Sequence, residues 1–250
     1  MAFTAVSKST DHFNTVTYTG NGSNGKAITG VGFEPSFVWI KDLTNSYDHV
    51  VFDQTRGVSK RLYPNNSQAE STDNDNLVSF DSDGFTVDDN GITNANSNSF
   101  VSFNWKGNGQ GSSNTDGSTN TTYTSANATA GISIIKYPGT GSSATIGHGL
   151  GVKPSAIWFK QIDGTEGWRV WLRQQPNYSS KALSFNLNNT EFDQSNYVGT
   201  ITNSTIGLGS DGSVNLNNKN YVAYAFAEKH GFSRFGSYVG TGAANSGPFI

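Results

Sequence analysis

The chain has 250 residues, of which 34% are hydrophobic and 14% charged, and its formal net charge is −3. So few charged residues exclude a coiled coil and argue against a helical bundle, while the slight acidity offers no basic surface to nucleic acid. The absence of cysteine excludes disulfides and thiolate chemistry, and without a long apolar run we expect no membrane insertion.

Short runs of β-branched and aromatic residues predict the elements of the first half. Clusters of Gly, Asn, Asp and Pro separate these runs, as turns separate strands. No segment sustains a helical hydrophobic period, so the pattern indicates an all-β protein, a sandwich or a barrel. The predicted strands cover residues 15–19, 37–41, 49–52, 77–80 and 100–105.

The following segment, 107–130, is rich in Gly, Ser, Asn and Thr. Its first part contains no aliphatic side chain that could cover an apolar face. Such a composition is typical of a linker or a long surface loop. We therefore predict a linker between two folded units.

An internal repeat organises the rest of the chain. The string Tyr-Thr-Gly-Asn-Gly at 18–22 returns as Tyr-Pro-Gly-Thr-Gly at 137–141 and as Tyr-Val-Gly-Thr-Gly at 238–242. Downstream, Gly-Val-Gly-Phe-Glu-Pro-Ser-Phe-Val-Trp-Ile-Lys at 30–41 matches Gly-Leu-Gly-Val-Lys-Pro-Ser-Ala-Ile-Trp-Phe-Lys at 149–160. Self-similarity of this kind indicates repeated structural units.

The repeat predicts two tandem antiparallel β-sandwich lobes, 1–106 and 131–231. The remaining segment, 232–250, resembles the start of a third unit. An unpaired strand edge is normally covered or paired. We expect this segment to dock as a strand on a lobe or on a neighbouring subunit, and a fragment of a longer repeat array is the alternative.

The last strand of each copy predicts which face is buried. Large and small side chains alternate there, and alternate residues of a strand lie on opposite faces. We expect the large residues to point into each sandwich and the small ones to point away from it. The large residues are Val101, Phe103 and Trp105 in the first copy and Val222, Tyr224 and Phe226 in the second.

Motifs that would carry catalysis are incomplete. Segment 20–26 nearly matches a phosphate-binding loop, but no helix pattern follows it, so a turn is the simpler interpretation. Ser233 lacks the second glycine of a nucleophile elbow, and the Asp residues lie in turn strings instead of facing pairs. Asp81 and Asp83 form only part of a calcium loop, which Phe85 interrupts. We predict no enzymatic activity, no catalytic residue, no metal and no cofactor.

Four residues are candidates for binding a ligand. Trp168 has His49 as its counterpart in the first copy, so the fold does not require an aromatic side chain there. We expect Trp168 to be the most exposed tryptophan and a candidate stacking platform for a sugar or protein, although ordinary variation between the copies is the favoured explanation of the difference. Arg169 and Tyr178 lie nearby in sequence. His148 lies in a glycine-rich string, where a solvated loop histidine is the favoured interpretation and a contact with a partner is the alternative.

Five strings carry a family resemblance: Tyr-Thr-Gly-Asn-Gly (18–22), Pro-Ser-Phe-Val-Trp-Ile-Lys (35–41), Ser-Phe-Asp-Ser-Asp-Gly-Phe (79–85), Gly-Ser-Ser-Asn-Thr-Asp-Gly-Ser (111–118) and Gly-His-Gly-Leu-Gly (147–151). Together they resemble a repeat domain of tail-fibre and other virion proteins of marine tailed bacteriophages, cyanophages especially. The resemblance covers almost all of the chain. It implies jelly-roll, concanavalin A-like lobes and carries over no catalytic or ligand-binding residue.

The resemblance implies a virion protein, assembled in the host cytoplasm and in contact with other virion proteins. The first hypothesis is a tail-fibre or receptor-binding component that attaches to a host-surface glycan or receptor. A capsid-decoration or tail subunit without a ligand and a glycan depolymerase are the alternatives. An adhesin should expose aromatic and amide side chains in a concave site, whereas a depolymerase needs paired carboxyls, one with a raised pKa. We expect a homo-oligomer, such as a trimer.

Overall fold

The computed structural model describes residues 4, 6–175, 180–188 and 190–242. In these residues the protein is all-β, with antiparallel sheets and only three short helices, Ser9–Asp11, α1 (Gly91–Asn94) and α2 (Gly212–Asn215). None of the described helices is long and apolar enough to cross a membrane. The prediction of an all-β chain is confirmed.

The first half forms a four-stranded sheet, β1-β9-β3-β4, a three-stranded sheet, β2-β8-β7, and the small pair β5-β6. The predicted strands of this half are all present, with ends shifted by one or two residues. Their bounds are β1 (Phe13–Thr19), β2 (Lys26–Ile28), β3 (Phe37–Asp42), β4 (Val50–Asp53), β5 (Lys60–Arg61), β6 (Ser71–Thr72), β7 (Leu77–Asp81), β8 (Gly84–Val87) and β9 (Ser99–Trp105).

The second half forms a five-stranded sheet, β10-β11-β19-β13-β14, a three-stranded sheet, β12-β18-β17, and the pair β15-β16. Apart from the added β10, the order of strands is that of the first half. The bounds are β10 (Tyr123–Asn127), β11 (Ile132–Pro138), β12 (Ala144–Gly147), β13 (Ala156–Gln161), β14 (Arg169–Leu172), β15 (Lys181–Ala182), β16 (Phe192–Asp193), β17 (Val198–Ile201), β18 (Thr205–Leu208) and β19 (Asn220–Phe226).

Each half has a hydrophobic core between its large sheet and its three-stranded sheet. In the first half, Val38 of β3 packs with Phe85 of β8, and both are fully buried. In the second half, Phe159 of β13 packs in the same cluster as Ile206 of β18. The strands β3 and β13 lie inside their sheets and bury both faces, as their unbroken apolar runs predict.

A third cluster, the shared core, joins the two halves through the opposite faces of the large sheets. Phe37 of β3 contacts Tyr224 of β19 with ring centroids 4.6 Å apart. Trp39 and Trp158, half-buried, meet edge to face at 6.2 Å. The fully or nearly fully buried members are Phe37, Val51, Leu62, Ala130, Ile132, Ile134, Ala156, Ile162, Trp168, Val222, Tyr224 and Phe226.

A buried ionic network ties the halves together inside this shared core. Arg56 donates from Nε to Asp53 Oδ2 at 2.5 Å, and Tyr224 of the second half donates to the same oxygen at 2.6 Å. Burial alone would raise the pKa of Asp53, but Arg56 and hydrogen bonds from Thr55 and Tyr224 hold it below the ordinary value. The carboxylate therefore stays charged between the halves.

The predicted orientation of the last strands is wrong. The large residues of β19, such as Tyr224, line the shared core, whereas Ala223 and Ala225 face the second half's own core. In β9 the small Ser102 and Asn104 are fully buried on the inner side. Alternation fixes which residues share a face, but both faces of these sheets are covered, and small residues leave room for larger side chains from other strands.

The segment 107–130, predicted as a linker, contains strand β10. This strand pairs with β11, so that Tyr123 lies opposite Lys136, and Thr124 bridges to Ser112. Thr121 and Ser125 are buried. The segment has few aliphatic side chains, and hydrogen bonds of its hydroxyl and backbone groups to a neighbouring strand hold β10 in place instead.

The segment 232–242 forms no named strand in the described residues, so the expected docked strand is not observed there. Phe232 and Phe235 pack against the shared core, and an isolated antiparallel backbone bridge links Lys229 to Ser233. Val239, in contrast, is 88% exposed. Residues 243–250 lie outside the described part of the chain.

Candidate functional site

Trp168 is not the exposed platform that the sequence predicted. Its side chain is only 1% exposed, whereas Trp39, Trp105 and Trp158 are half-buried. The indole N–H donates to the main-chain oxygen of Tyr63 at 2.8 Å. Trp168 thus anchors the second half to a loop of the first. The internal comparison misled because the shared core covers Trp168, whereas the equivalent His49 is only half-buried.

His148 is not a solvated loop histidine either. The side chain is fully buried, and the N–H of Leu150 donates to its Nδ1 at 3.2 Å. Nε2 lies 3.4 Å from the main-chain oxygen of Thr202. Burial lowers the pKa of His148, against smaller opposing effects of Thr202 and Asp116. The imidazole therefore holds two loops together in its neutral form.

Arg169 is half-buried and engaged within its own half. Its Nε donates to Gln194 Oε1 at 3.1 Å, and its guanidinium lies over the ring of Phe192, 5.3 Å from the centroid. Gln194 in turn donates to Asp211, which caps the N-terminus of α2. Tyr178 lies outside the described residues. The structure therefore does not bring the described candidates together into one site.

The first half contains a similar arrangement, in which the carboxylate and the amide have exchanged places. Arg61 lies over the ring of Tyr63 at 5.5 Å and pairs with Asp73 at 2.9 Å. Asn90, which caps α1, donates to Asp73 at 3.0 Å. An arginine, an aromatic ring and a carboxylate–amide pair thus recur beside α1 and α2. In the first half this group borders an open cleft.

This cleft, named here the Tyr47 cleft, has a volume of about 370 Å³. It is bounded by the β3–β4 loop, the chain after β5 and the N-terminus of α1. Its lining combines aromatic, amide, carboxylate and guanidinium groups. The lining residues are Tyr47, Asp48, Arg61, Tyr63, Gln68, Asn90, Gly91 and Ile92.

Lys41 fixes the shape of the β3–β4 loop that carries Tyr47. Its ammonium donates to the main-chain oxygens of Asp42 at 2.7 Å, Asn45 at 3.3 Å and Tyr47 at 2.8 Å. The carboxylate of Asp42 also accepts from the N–H groups of Thr44 and Asn45. The loop is thus held by its main chain, which leaves the Tyr47 side chain 47% exposed.

The polar groups of the cleft are held in fixed positions. Asp48 accepts from the amide groups of Asn65 at 2.5 Å and Asn66 at 3.1 Å. The Tyr47 ring lies beside Gly91, where a Cβ atom would come within 3.6 Å of the tyrosine oxygen. Rigid polar groups around an exposed ring keep a recognition surface organised before a ligand arrives.

The chemistry of the cleft suits the recognition of a polyhydroxylated ligand. An exposed aromatic face can stack on the apolar face of a sugar ring, while Asp48 and Arg61 offer acceptors and planar donors to hydroxyl groups. The carboxyl groups whose pKa is shifted, Asp11, Asp53 and Asp83, all move downward, through hydrogen bonds or ion pairs. A proton donor for glycoside cleavage requires a shift in the opposite direction.

The partial calcium motif serves the fold. Asp83 accepts from the N–H groups of Gly30 at 3.0 Å and Gly32 at 2.6 Å, and Asp81 accepts from the Thr86 hydroxyl at 2.7 Å. Within the described residues, no cluster of three or more His, Asp or Glu side chains is placed to hold a metal ion.

The sequence matches one family over residues 8–250, described as a domain of unknown function, DUF7483. The chain belongs to the DUF7483 family. No curated protein and no solved structure matches it. Family membership thus covers both halves as one unit and names no activity.

The comparison of the two copies could have found Tyr47. The lysines Lys41 and Lys160 are equivalent, and counting from them places Tyr47 opposite Glu166. Both lysines donate to the main chain of the loop that follows, Lys160 to the oxygens of Gly164 and Glu166 among others. An aromatic residue without a counterpart on a polar loop is a stronger sign of exposure than one inside a strand pattern.

Proposed function

We propose that this protein is a non-enzymatic component of a bacteriophage virion, a tail-fibre or receptor-binding protein that attaches to glycans of the host surface. The Tyr47 cleft carries the proposal. It combines an exposed aromatic ring with amide, carboxylate and guanidinium groups in a concave site, which is the arrangement expected of an adhesin. The resemblance of the repeat strings to phage virion domains supplies the biological setting.

We also infer that the two halves are tandem jelly-roll, concanavalin A-like lobes, one for each copy of the internal repeat. The recurrence of the same strand order in both halves supports this inference. The lysine-held loop after β3 and β13, present in both halves, supports it as well. In this view the unit supplies a scaffold, and ligand specificity depends on the loop residues that differ between copies.

Binding to immobilised surface polysaccharide tests the function. The probes are lipopolysaccharides from several marine cyanobacteria, with the intact chain as the analyte. Tyr47→Ala should weaken binding about tenfold or more, because it removes the exposed aromatic ring of the cleft. The matched control is Leu43→Ala, since Leu43 lies in the same loop, is 58% exposed and does not line the cleft.

Three outcomes would count against the proposal. Binding to none of the probes would favour a structural virion subunit without a ligand. Binding that Tyr47→Ala leaves unchanged would show that the binding site lies outside the Tyr47 cleft. Release of reducing ends from a bound polysaccharide, abolished by Asp48→Asn, would favour a depolymerase. The two readouts, binding and cleavage, are measured on the same samples.

A further inference from the structure

The two large sheets have four outer edges, and these edges differ in whether another segment of the chain contacts them. The outer edge of β4 bridges to Leu62 through Val51, and that of β14 bridges to Leu183 through Val170. The outer edge of β10 bridges to Ser112 through Thr124. Among the described residues, β1 pairs with β9 and has no such bridge on its outer side. It is therefore an open edge seven residues long.

The backbone groups of β1 alternate between β9 and the solvent. His12 accepts from the N–H of Lys106 at 2.9 Å, and Gly20 donates to the oxygen of Asn98 at 2.8 Å. In an antiparallel ladder these two contacts place the backbone groups of even-numbered residues toward β9 and those of odd-numbered residues outward. The outward N–H of Thr15 is met only by the side chain of its neighbour, at 3.0 Å.

The β1 edge lacks the features that usually prevent pairing between molecules. The strand reads Phe-Asn-Thr-Val-Thr-Tyr-Thr, without charge and without proline. Thr15, Thr17 and Thr19 are exposed. Natural edge strands are normally protected by lysine, proline, a bulge or a cover, and uncharged β-branched edges are ready to accept another strand.

The second half shows which chemistry fits this edge. There the equivalent strand, β11, is paired antiparallel by β10, whose sequence Tyr-Thr-Ser-Ala-Asn is uncharged and hydroxyl-rich. In a second copy of the chain β10 is paired by β11 on one side and bridged by Ser112 on the other. Within the described residues, the strand of matching chemistry that a second copy can offer with an open side is β1 itself.

We propose that β1 pairs antiparallel with β1 of a second copy, forming one continuous sheet across a two-fold axis at Val16. This register places Thr15 opposite Thr17 of the second copy, and Phe13 opposite Thr19 of that copy. The outward backbone groups of the odd-numbered residues then bond to each other, and no like charges meet. Threonine pairs across strands are favourable, and two-fold interfaces are the commonest in homo-oligomers.

A charge-exchange experiment tests the pairing. The double variant Thr15→Lys/Thr17→Lys places lysine opposite lysine twice across the axis, and it should weaken the dimer about tenfold or more in analytical ultracentrifugation. The variant Thr15→Asp/Thr17→Asp alone should weaken the dimer to a similar extent. An equimolar mixture of the two should restore a dimer, which shows in addition that both variants are folded. Lysines at two exposed threonines outside β1, Thr115→Lys/Thr129→Lys, are the matched control.

Each outcome bears on the proposal. A wild-type dimer weakened by the β1 lysines, unchanged by the control lysines and restored in the mixture supports it. A monomeric wild type at every concentration overturns it. So does a dimer or trimer that the β1 lysines leave intact, because its interface must then lie elsewhere.

Discussion

The hydroxyl group of Tyr224 is the donor through which the second half reaches a buried charge in the first. It contacts Asp53 Oδ2 at 2.6 Å, and both side chains are fully buried. Tyr224→Phe removes this donor and keeps the ring. Asp53 retains the Thr55 hydroxyl and Arg56. A hydrogen bond to a charged group contributes about 1.5–3 kcal/mol, so we expect the free energy of unfolding to fall by about that amount.

Tyr137→Phe provides the matched control. Tyr137 is also fully buried, and its hydroxyl donates at 2.9 Å to an uncharged acceptor, the main-chain oxygen of Val214. We expect a smaller loss of about 0.5–1.5 kcal/mol. Urea unfolding followed by tryptophan fluorescence measures both variants. Thermal melts should show a shift of about 2–4 °C for each kcal/mol in a chain of this size.

The pH dependence provides a second check on Tyr224→Phe. Because the pKa of Asp53 is held below its ordinary value of 3.8 in the fold, its charged form stabilises the protein above that pH, and this contribution is lost as the pH falls through the folded-state pKa. The difference between wild type and Tyr224→Phe should therefore narrow in acid. Two results would refute the reasoning. One is an equal loss of unfolding free energy from Tyr224→Phe and Tyr137→Phe. The other is a stability difference between wild type and Tyr224→Phe that does not change with pH.

Three further predictions follow from burial and backbone geometry. Trp168→Ala should lower the free energy of unfolding by about 3–5 kcal/mol in urea unfolding, as for a buried tryptophan, and a loss like that of exposed Leu43→Ala would contradict its burial. Gly84→Ala should unfold the β2–β8 pair, because a Cβ atom at this position would lie 1.9 Å from the main-chain oxygen of Ile28. Hydrogen exchange measures this, and amides of β2 that stay protected would contradict it. Because burial lowers the pKa of His148 below 6.5, stability should fall as the pH drops from 6.5 through the folded-state pKa. His148→Gln should remove part of that dependence in a pH series, and an unchanged slope would count against it.

Local patterns in the sequence predicted the strands well. β3 and β9 lie where alternation and apolar runs place them, since strand formation depends on neighbouring residues and on turns. Pairing with a distant segment was not predictable in the same way. β10 arises in a hydroxyl-rich stretch because β11 supplies the hydrogen bonds, and composition alone does not reveal a partner.

The candidate site was harder to predict, because exposure depends on packing between the halves. Trp168 has no aromatic counterpart, yet the shared core covers it. Tyr47 is exposed because its loop is held by main-chain contacts to Lys41. In the sequence both residues look alike, because each is an aromatic residue without an aromatic counterpart in the other copy. Only the tertiary contacts distinguish the anchor from the surface group.

The contacts of Lys41 and Lys160 have a consequence for how such a protein diversifies. Each ammonium binds main-chain oxygens of its loop, which every amino acid possesses, so the loop keeps its path whatever side chains it carries. One copy displays Tyr47 at this point and the other Glu166. Substitutions there can change the exposed side chain at little cost to stability, so this position can vary while the fold is kept.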